Sequence, residues 1–251
     1  MKKATLLCLM AAVLTTRAEP VTLTVSAAAS LKAPLESLKA EFEKAVPGVA
    51  VVYNFGSSGS LQQQIVNGAS ADVFISAAAK QMDELEKGGF IEPGSRFVLA
   101  GNTVVLVAPA GSGALGGFDG LTADAIKVIA IGEPKTVPAG MYAMEVLEHL
   151  GIAERVGDKL VFAKDVRQVM VYVESGNADA GFVYGSDAVG SKAVRLVASA
   201  PAASHKKVEY PAAVIRASAH AAQASAFLKF LRSPESSALF KAAGFDMNTV
   251  R

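Results

Sequence analysis

The sequence predicts an α/β protein with mixed, mostly parallel sheets, and two observations predict this class. Strand-forming runs alternate with amphipathic helical segments along most of the 251 residues, as expected where helices connect parallel strands. The first two units also share one plan: an apolar strand, a turn of small or hydroxyl residues, and a helix. They comprise the strand 21–25 with the turn 27–30, and the strand 49–55 with the turn 56–60. This repeated plan places two helix N-termini at one edge of a sheet.

The first half of the chain continues the alternation. Its predicted elements after the first strand are a helix with Leu31, Leu35, Leu38 and Phe42 on one face, the strand 49–55, a helix with Leu61 and Ile65 that stops at Gly68, a buried strand at 71–76, a helix around Met82 and Leu85, and a β-branched strand at 103–107. These assignments follow from periods of 3.6 and 2 residues in the apolar pattern. The segment 110–125 is rich in glycine and alanine and predicts a loop with weak helical content.

The second half repeats the pattern. Its predicted elements are a strand at 128–131, a helix opened by 134–140 with Met144, Leu147 and Leu150, a helix with Val166, Val169, Met170 and Val173, a strand at 180–184, an apolar run at 194–198, an extended segment at 208–215, and helices near 220–231 and after Ser233. Asp165 is predicted to cap its helix, with Gln168 three residues on. Pro211 suits an edge or a crossover better than a central strand.

The N-terminus predicts export. Residues 1–18 have the plan of a secretory signal peptide: two lysines, an apolar stretch at 4–14, and small residues around the cleavage point. The only cysteine, Cys8, lies in that stretch and would leave with it. Loss of Lys2, Lys3 and Arg17 leaves 21 basic and 23 acidic residues, a net charge of −2. This balance argues against nucleic acid as a partner.

The turns between strands and helices predict an anion pocket. The unpaired amides at a helix N-terminus carry partial positive charge and hold an anion without lysine or arginine. Besides the turns 27–30 and 56–60, three more segments present amides or a hydroxyl: 137–140, 165–167 and 182–186. Each of these can direct a donor to one point between two domains.

With these turns in place, the sequence resembles a known family, the periplasmic molybdate-binding proteins of ABC importers, which have the type II periplasmic binding protein fold. The resemblance covers essentially the whole mature chain. The segments that carry it are 27–31, 55–58, 71–77, 101–102, 132–140, 165–167, 183–188 and 204–211. Each segment is a weak signal alone, whereas all of them in this order are highly specific.

The resemblance implies the ligand and its donors. The ligand is molybdate, with tungstate as a second, held by neutral groups: the hydroxyls and amides of Ser30 and Ser58, the amides of Ala139 and Val166, and the phenol of Tyr184. Molybdenum is then bound only as the oxyanion, through these residues. No cofactor and no enzymatic activity are expected. The five positions fall on the five turns described above.

The resemblance also implies the organisation and the partners. We expect two Rossmann-like domains joined by a two-strand hinge, domain I at 19–100 plus 213–251 and domain II at 101–212, with crossovers near 100–101 and 212–213. The ligand is trapped in the cleft by hinge closure. The expected partners are an ABC permease and its cytoplasmic ATPase, and the protein is expected to be a periplasmic monomer. Lys206, Lys207 and Asp187 are expected as exposed charges near the cleft rim, either solvated or in contact with the permease.

The hydrogen-bond donors of the predicted pocket affect which anions it binds. Molybdate, tungstate and sulfate are fully deprotonated near neutral pH, whereas phosphate usually keeps a proton that needs an acceptor. A pocket of donors without a carboxylate therefore disfavours phosphate by about 1–3 kcal/mol. Charge does not separate molybdate from sulfate, so the choice of molybdate rests on the resemblance.

Each residue singled out also has a structural interpretation. Ser30 and Ser58 are typical helix caps, and Tyr184 suits the buried end of a strand. Pro34 conflicts with Ser30 as a strict N-cap, because it would lie where an amide closes the first turn. Arg167 is expected to pair with a carboxylate rather than to bind the anion.

Two alternative functions stay open at this point. One is a receptor for sulfate, another tetrahedral oxyanion or a metal ion on the same fold. The other is a secreted serine hydrolase with Ser58 as nucleophile, although the turn 56–60 is not a G-x-S-x-G elbow. His149, His205 and His220 have no spacing that pairs them with a serine or with a metal. Turnover of an ester would distinguish the hydrolase.

Overall fold

The strands form two sheets in the computed structural model, which describes residues 20–113 and 115–248. The predicted signal segment 1–18, including Cys8, lies outside the described residues. The strands are β1 Val21–Ala28, β2 Val49–Gly56, β3 Val73–Ile75, β4 Phe97–Asn102, β5 Val104–Pro109, β6 Ile129–Gly132, β7 Leu160–Ala163, β8 Ala180–Tyr184, β9 Val194–Ser199 and β10 Val208–Val214. The predicted strands are confirmed with small shifts of their ends, whereas β4 and β7 are not predicted by the sequence analysis.

Helices connect these strands. The α-helices are α1 Lys32–Ala45, α2 Ser58–Val66, α3 Ala79–Lys87, α4 Pro138–His149, α5 Ala153–Val156, α6 Val166–Glu174, α7 Gly185–Ala188, α8 Ala221–Leu231 and α9 Pro234–Ala242. Short 3-10 helices lie at Ala29–Leu31, Phe118–Thr122, Gly157–Lys159 and Ala202–Ser204. The predicted cap at Ser233 is confirmed, since its side chain accepts the amide of Ser236. Gly244 follows α9 with φ of 88°, a conformation that favours glycine.

The two sheets have the same plan. The strand order is β2-β1-β3-β10-β4 in the first sheet and β7-β6-β8-β5-β9 in the second. β1 is parallel to β2 and β3, while β10 is antiparallel to β3 and β4. Likewise, β6 is parallel to β7 and β8, while β5 is antiparallel to β8 and β9. Among the described strands, four of each sheet therefore run one way and one opposes them, which confirms the predicted mixed, mostly parallel α/β class.

The chain crosses between the sheets twice. It passes from β4 to β5 at Thr103, and it returns between β9 and β10. The predicted crossover at 100–101 lies in β4, next to the first passage. The one predicted at 212–213 lies within β10, which pairs with β3 and β4 of the first sheet. The division into 19–100 plus 213–251 and 101–212 stays a prediction.

Pro211 lies inside the first sheet. Because β10 is flanked by β3 and β4, the predicted edge position of Pro211 is wrong, whereas the alternative, a crossover, agrees with β10 as the strand by which the chain returns to the first sheet. The pairing of β10 with β4 shifts register between Tyr210 and Pro211. Proline has no amide to donate, and this irregularity accommodates it while its carbonyl still accepts the amide of Ser76 at 3.0 Å.

Buried apolar side chains hold the helices onto the sheets. Phe42 of α1 meets Phe227 of α8 edge to face, with ring centroids 5.0 Å apart. On the second sheet, Val169 and Val173 of α6 lie against Gly181 of β8, where a Cβ would come within 3.0 Å of both valines. None of the helices in the described part of the chain is long and apolar enough to cross a membrane.

Candidate functional site

A small cavity is lined by loops of both sheets. The space between its lining atoms, including the part that is open to solvent, is about 210 Å³. The residues that line it are Ala28, Ala29, Ser30, Gly56, Ser57, Ser58, Ala77, Val137, Pro138, Ala139, Asp165, Val166 and Tyr184. All five residues that the resemblance assigns to the ligand are therefore brought together at one cavity.

Ser30 follows β1 in a 3-10 turn rather than capping α1. The helix α1 begins at Lys32, so Pro34 is its third residue, where an amide has no partner within the helix. This later start removes the conflict between Ser30 and Pro34. The Ser30 hydroxyl lies 3.0 Å from the phenol oxygen of Tyr210.

Ser57 and Ser58 divide two roles between them. Ser57 is the cap of α2, and its side chain accepts the amide of Ser60 at 3.2 Å. Ser58 is the first residue of α2 and is fully buried. Its Oγ accepts the amide of Ala77 at 2.9 Å. The proton of Ser58 remains available, since a hydroxyl that accepts one bond can still donate one.

The second sheet contributes two helix starts. Ala139 is the second residue of α4 and Val166 the first residue of α6, so neither amide has an acceptor inside its helix. The Asp165 side chain caps α6 by accepting the amide of Gln168 at 2.9 Å, as predicted. A Cβ on Gly140 would overlap the backbone of Gly132, so glycine there lets α4 begin directly against the end of β6.

Tyr184 ends β8 with its hydroxyl at the cavity. This oxygen is buried and has no hydrogen-bond partner among the described residues. Burial raises the pKa of Tyr184 well above its usual value, so the phenol keeps its proton and can donate it. A buried hydroxyl without a partner is costly, and an acceptor placed in the cavity would satisfy it.

Asp187 is not the exposed rim charge that the sequence analysis expects. Its side chain is only 1% exposed, and its carboxylate accepts the Tyr184 amide at 3.2 Å. Burial raises the pKa of Asp187 to about 7, against the lowering effects of that amide and of Arg167, while Asp165 raises it further. Arg167 is half-exposed with a guanidinium nitrogen 4.0 Å from Asp187, which confirms its predicted pairing with a carboxylate.

Among the described residues that line the cavity there is no lysine, arginine or histidine, and Asp165 is the one carboxylic acid. The presence of Asp165 corrects the expectation of a pocket without a carboxylate. His149, His205 and His220 lie elsewhere, so Ser58 has no histidine base at the cavity. Within residues 20–113 and 115–248, no group of three or more histidine, cysteine, aspartate or glutamate side chains could hold a metal ion. The donors at this site are therefore uncharged hydroxyls and amides.

The two walls of the cavity meet directly. The amide of Gly59, in α2, donates to the carbonyl of Thr136, just before α4, at 2.9 Å. A Cβ at Gly59 would lie 2.6 Å from that carbonyl oxygen and 2.8 Å from the Thr136 Cα. This contact requires glycine and fixes how closely the walls approach. The sequence marks Gly59 only as part of a turn, and its partner 77 residues away has no local signal.

Comparison with known proteins agrees with this architecture. The family described as bacterial extracellular solute-binding protein matches residues 23–246. The molybdate-binding protein ModA of Escherichia coli is 42% identical over 228 residues, which cover 89% of this chain and 88% of that protein. The structure of the Azotobacter vinelandii periplasmic molybdate-binding protein has a TM-score of 0.80 at 33% identity and covers 89% of this chain and 98% of its own.

A more distant structure extends the comparison of folds. The sulfate-binding protein SubI from Mycobacterium tuberculosis has a TM-score of 0.76 at 19% identity, covering 90% of this chain and 86% of that one, so the likeness shows the fold alone. The two mixed sheets with a cavity between their loops are the type II periplasmic binding protein fold. The match of the family over nearly all described residues and the identity to ModA lead to one conclusion: the chain belongs to the bacterial extracellular solute-binding proteins.

Proposed function

We propose that this protein captures molybdate, and tungstate with it, and delivers the oxyanion to an ABC permease. The relatives named as molybdate-binding proteins support the choice of ligand. The donors would be the hydroxyls and amides of Ser30 and Ser58, the amides of Ala139 and Val166, and the hydroxyl of Tyr184. Molybdate is the cargo here and not a cofactor, and the protein releases it unchanged rather than catalysing a reaction.

The buried hydroxyl of Tyr184 carries this proposal. It has no partner among the described residues, yet it lies at a cavity where two serine hydroxyls and two helix starts also end. Each of these groups is a donor, and a fully deprotonated tetrahedral oxyanion such as molybdate offers only acceptors. One small anion therefore satisfies all of them, with the partial positive charge of the helix N-termini favouring its charge.

Selectivity would follow from the same arrangement. Hydrogen phosphate carries a proton that the hydroxyl and amide donors do not match. Asp165 is the one carboxylate among the described lining residues; its Oδ1 accepts the Gln168 amide, and its Oδ2 is the one carboxylate oxygen left for that proton. We therefore expect phosphate to bind more weakly than molybdate.

The protein would act in the periplasm, together with a membrane permease. The signal segment 1–18 would direct export, after which the mature chain acts as a periplasmic monomer. The permease and its cytoplasmic ATPase would be separate proteins. A hinge at the two passages between the sheets would let the walls close on the ligand.

Thermal unfolding of the mature protein tests the proposal. Molybdate, tungstate, sulfate and phosphate are added separately, and the melting temperature is compared with that of the unliganded protein. A ligand at about a thousand times its Kd adds roughly 4 kcal/mol of stability. A shift with molybdate and tungstate alone is the expected result. An equal shift with sulfate would contradict the selectivity, and no shift with any of the four would contradict the function.

A further inference from the structure

The orientation of the Ser30 hydroxyl depends on its neighbour. Ser30 Oγ and the Tyr210 hydroxyl oxygen are 3.0 Å apart, and the distance alone permits either to donate. If Ser30 donates to Tyr210, it has no proton left for the cavity. If Tyr210 donates to Ser30, the Ser30 proton is free. The direction of this one bond decides whether Ser30 can serve as a donor.

Asn102 fixes that direction. Its Oδ1 accepts the amide of Thr103 at 2.9 Å and that of Ser186 at 3.4 Å. Since backbone amides only donate, the carboxamide oxygen must face them. The Asn102 Nδ2 then faces the other way, toward the Tyr210 hydroxyl at 3.3 Å and the Ser186 Oγ at 2.8 Å. An amide nitrogen only donates, so Tyr210 is the acceptor in its bond with Asn102.

Tyr210 consequently has its proton to give. Burial raises the pKa of its phenol well above the usual value, so the hydroxyl stays protonated. With Asn102 donating to its oxygen, Ser30 Oγ is the remaining partner for the Tyr210 proton in the described part of the chain. We infer that Asn102 and Tyr210 form a hydrogen-bond relay that holds Ser30 as a donor toward the cavity. Both are positioning residues, and the inference rests on the proposed function.

The packing around Tyr210 supports a dedicated role for its hydroxyl. The side chain is fully buried, and its ring lies edge to face against Tyr184 at 5.9 Å and Phe245 at 5.3 Å between centroids. A phenylalanine would keep this ring packing and remove only the oxygen. The relay joins distant parts of the chain: Ser30 directly follows β1, Asn102 ends β4, and Tyr210 lies in β10.

Ser58 provides a matched contrast. Its Oγ is held by the backbone amide of Ala77, which changes in the Tyr210 side chain leave in place. Ser30 therefore depends on Tyr210, whereas Ser58 does not. If Tyr210 were merely structural, its substitution would affect binding equally whether Ser30 or Ser58 had been removed. The relay instead predicts a difference between these two backgrounds.

The test is a pair of double-mutant cycles, read by titration calorimetry with sodium molybdate. Tyr210→Phe should weaken binding about fivefold, the value of one neutral hydrogen bond. In a Ser30→Ala background it should have no further effect, while in a Ser58→Ala background its full effect should persist. Tyr172→Phe, a tyrosine of α6 away from the cavity, is the control.

Each outcome has one interpretation. Equal effects of Tyr210→Phe in both serine backgrounds, or no effect on the wild-type affinity, would overturn the relay. Failure of the wild-type protein to bind molybdate would instead overturn the proposed function. If Tyr210→Phe does not fold, Asn102→Asp replaces it, because a carboxylate oxygen facing Tyr210 reverses the relay. Asn102→Asp should then weaken molybdate binding less in the Ser30→Ala background than in the wild type. An equal loss of affinity in both backgrounds would overturn the relay.

Discussion

The two walls of the cavity provide donors of different kinds. On the side of the first sheet, Ser30 and Ser58 present side-chain hydroxyls, each oriented by a second group. On the side of the second sheet, Ala139 and Val166 have inert side chains, and only the starts of α4 and α6 bring their amides to the cavity. Beside its backbone amides, the first wall therefore has hydroxyls that depend on which residue is present, whereas the amides of the second wall depend on where a helix begins.

This difference determines how each wall responds to substitution. Removing a side chain tests the serines directly, but at Ala139 or Val166 it leaves the amide in place. At these two positions, only a substitution that removes the backbone N–H itself removes a donor. Tyr184 is the exception there, since it contributes a hydroxyl from the end of β8.

The largest effect is expected from Val166→Pro. Proline is well tolerated at the first position of a helix, and the preceding Asp165 is already extended, with φ of −161° and ψ of 170°, as a residue before proline prefers. The fold should persist while one donor to the anion is lost and a ring carbon takes its place. A bond to a charged group is worth up to about 3 kcal/mol, so calorimetry should show molybdate binding about a hundredfold weaker.

Val166→Ala is the matched control for this variant. It shortens the same side chain but keeps the amide, so its affinity should stay close to that of the wild type. Comparable losses in Val166→Pro and Val166→Ala would mean that the side chain and not the backbone matters on this wall. That result would contradict the distinction between a wall of side-chain hydroxyls and a wall of backbone amides.

Tyr184→Phe should have the next largest effect. Loss of the hydroxyl should weaken molybdate binding by about 1–3 kcal/mol. Without ligand the variant should be at least as stable as the wild type, because the deleted oxygen is buried without a partner. Calorimetry and thermal unfolding measure the two quantities. Unchanged affinity in a folded variant would remove Tyr184 from the site.

Gly59→Ala tests how closely the walls must approach. Alanine suits the helix α2, but its Cβ would press on the backbone of Thr136 across the cavity. Overpacking costs about 1–3 kcal/mol, and because the walls can separate slightly we expect the lower end, roughly a fivefold loss of affinity. Gly157→Ala, where a Cβ meets nothing within 4 Å, should bind as the wild type does. Full affinity in Gly59→Ala would show that the contact is not needed.

The smallest effect on affinity is expected from Asp187, which does not line the cavity. Its effect should appear in stability, because burial raises its pKa from 3.8 to about 7. The folded protein then holds this proton more tightly than the unfolded chain does, so the contribution is complete below about pH 4 and is lost as the pH rises through about 7.

Asp187→Asn should remove this dependence while keeping an acceptor for the Tyr184 amide. Melting temperatures from pH 4 to 9 should fall less steeply for the variant between pH 4 and 7, and the variant should be the more stable protein at pH 8. Parallel curves for the two proteins would contradict the raised pKa.

Local signals in the sequence account for most of the elements and for the position of the donors. The cap at Asp165, the turn 56–60 and the strand end at Tyr184 each depend on a few neighbouring residues, and the structure brings them to one cavity. The relay could not be predicted in this way, because Ser30 and Tyr210 are 180 positions apart. The burial of Asp187 also depends on packing of distant elements. The interior position of Pro211 depends on strand order, which the apolar pattern does not encode.

The most direct test of the account is a crystal structure of the mature protein with molybdate, in which the anomalous signal of molybdenum locates the ion. We predict one ion in the cavity, with oxygens at about 2.7–3.1 Å from the hydroxyls and amides of Ser30 and Ser58, the amides of Ala139 and Val166, and the hydroxyl of Tyr184. An ion bound elsewhere, or one held in the cavity by a lysine or arginine, would contradict it.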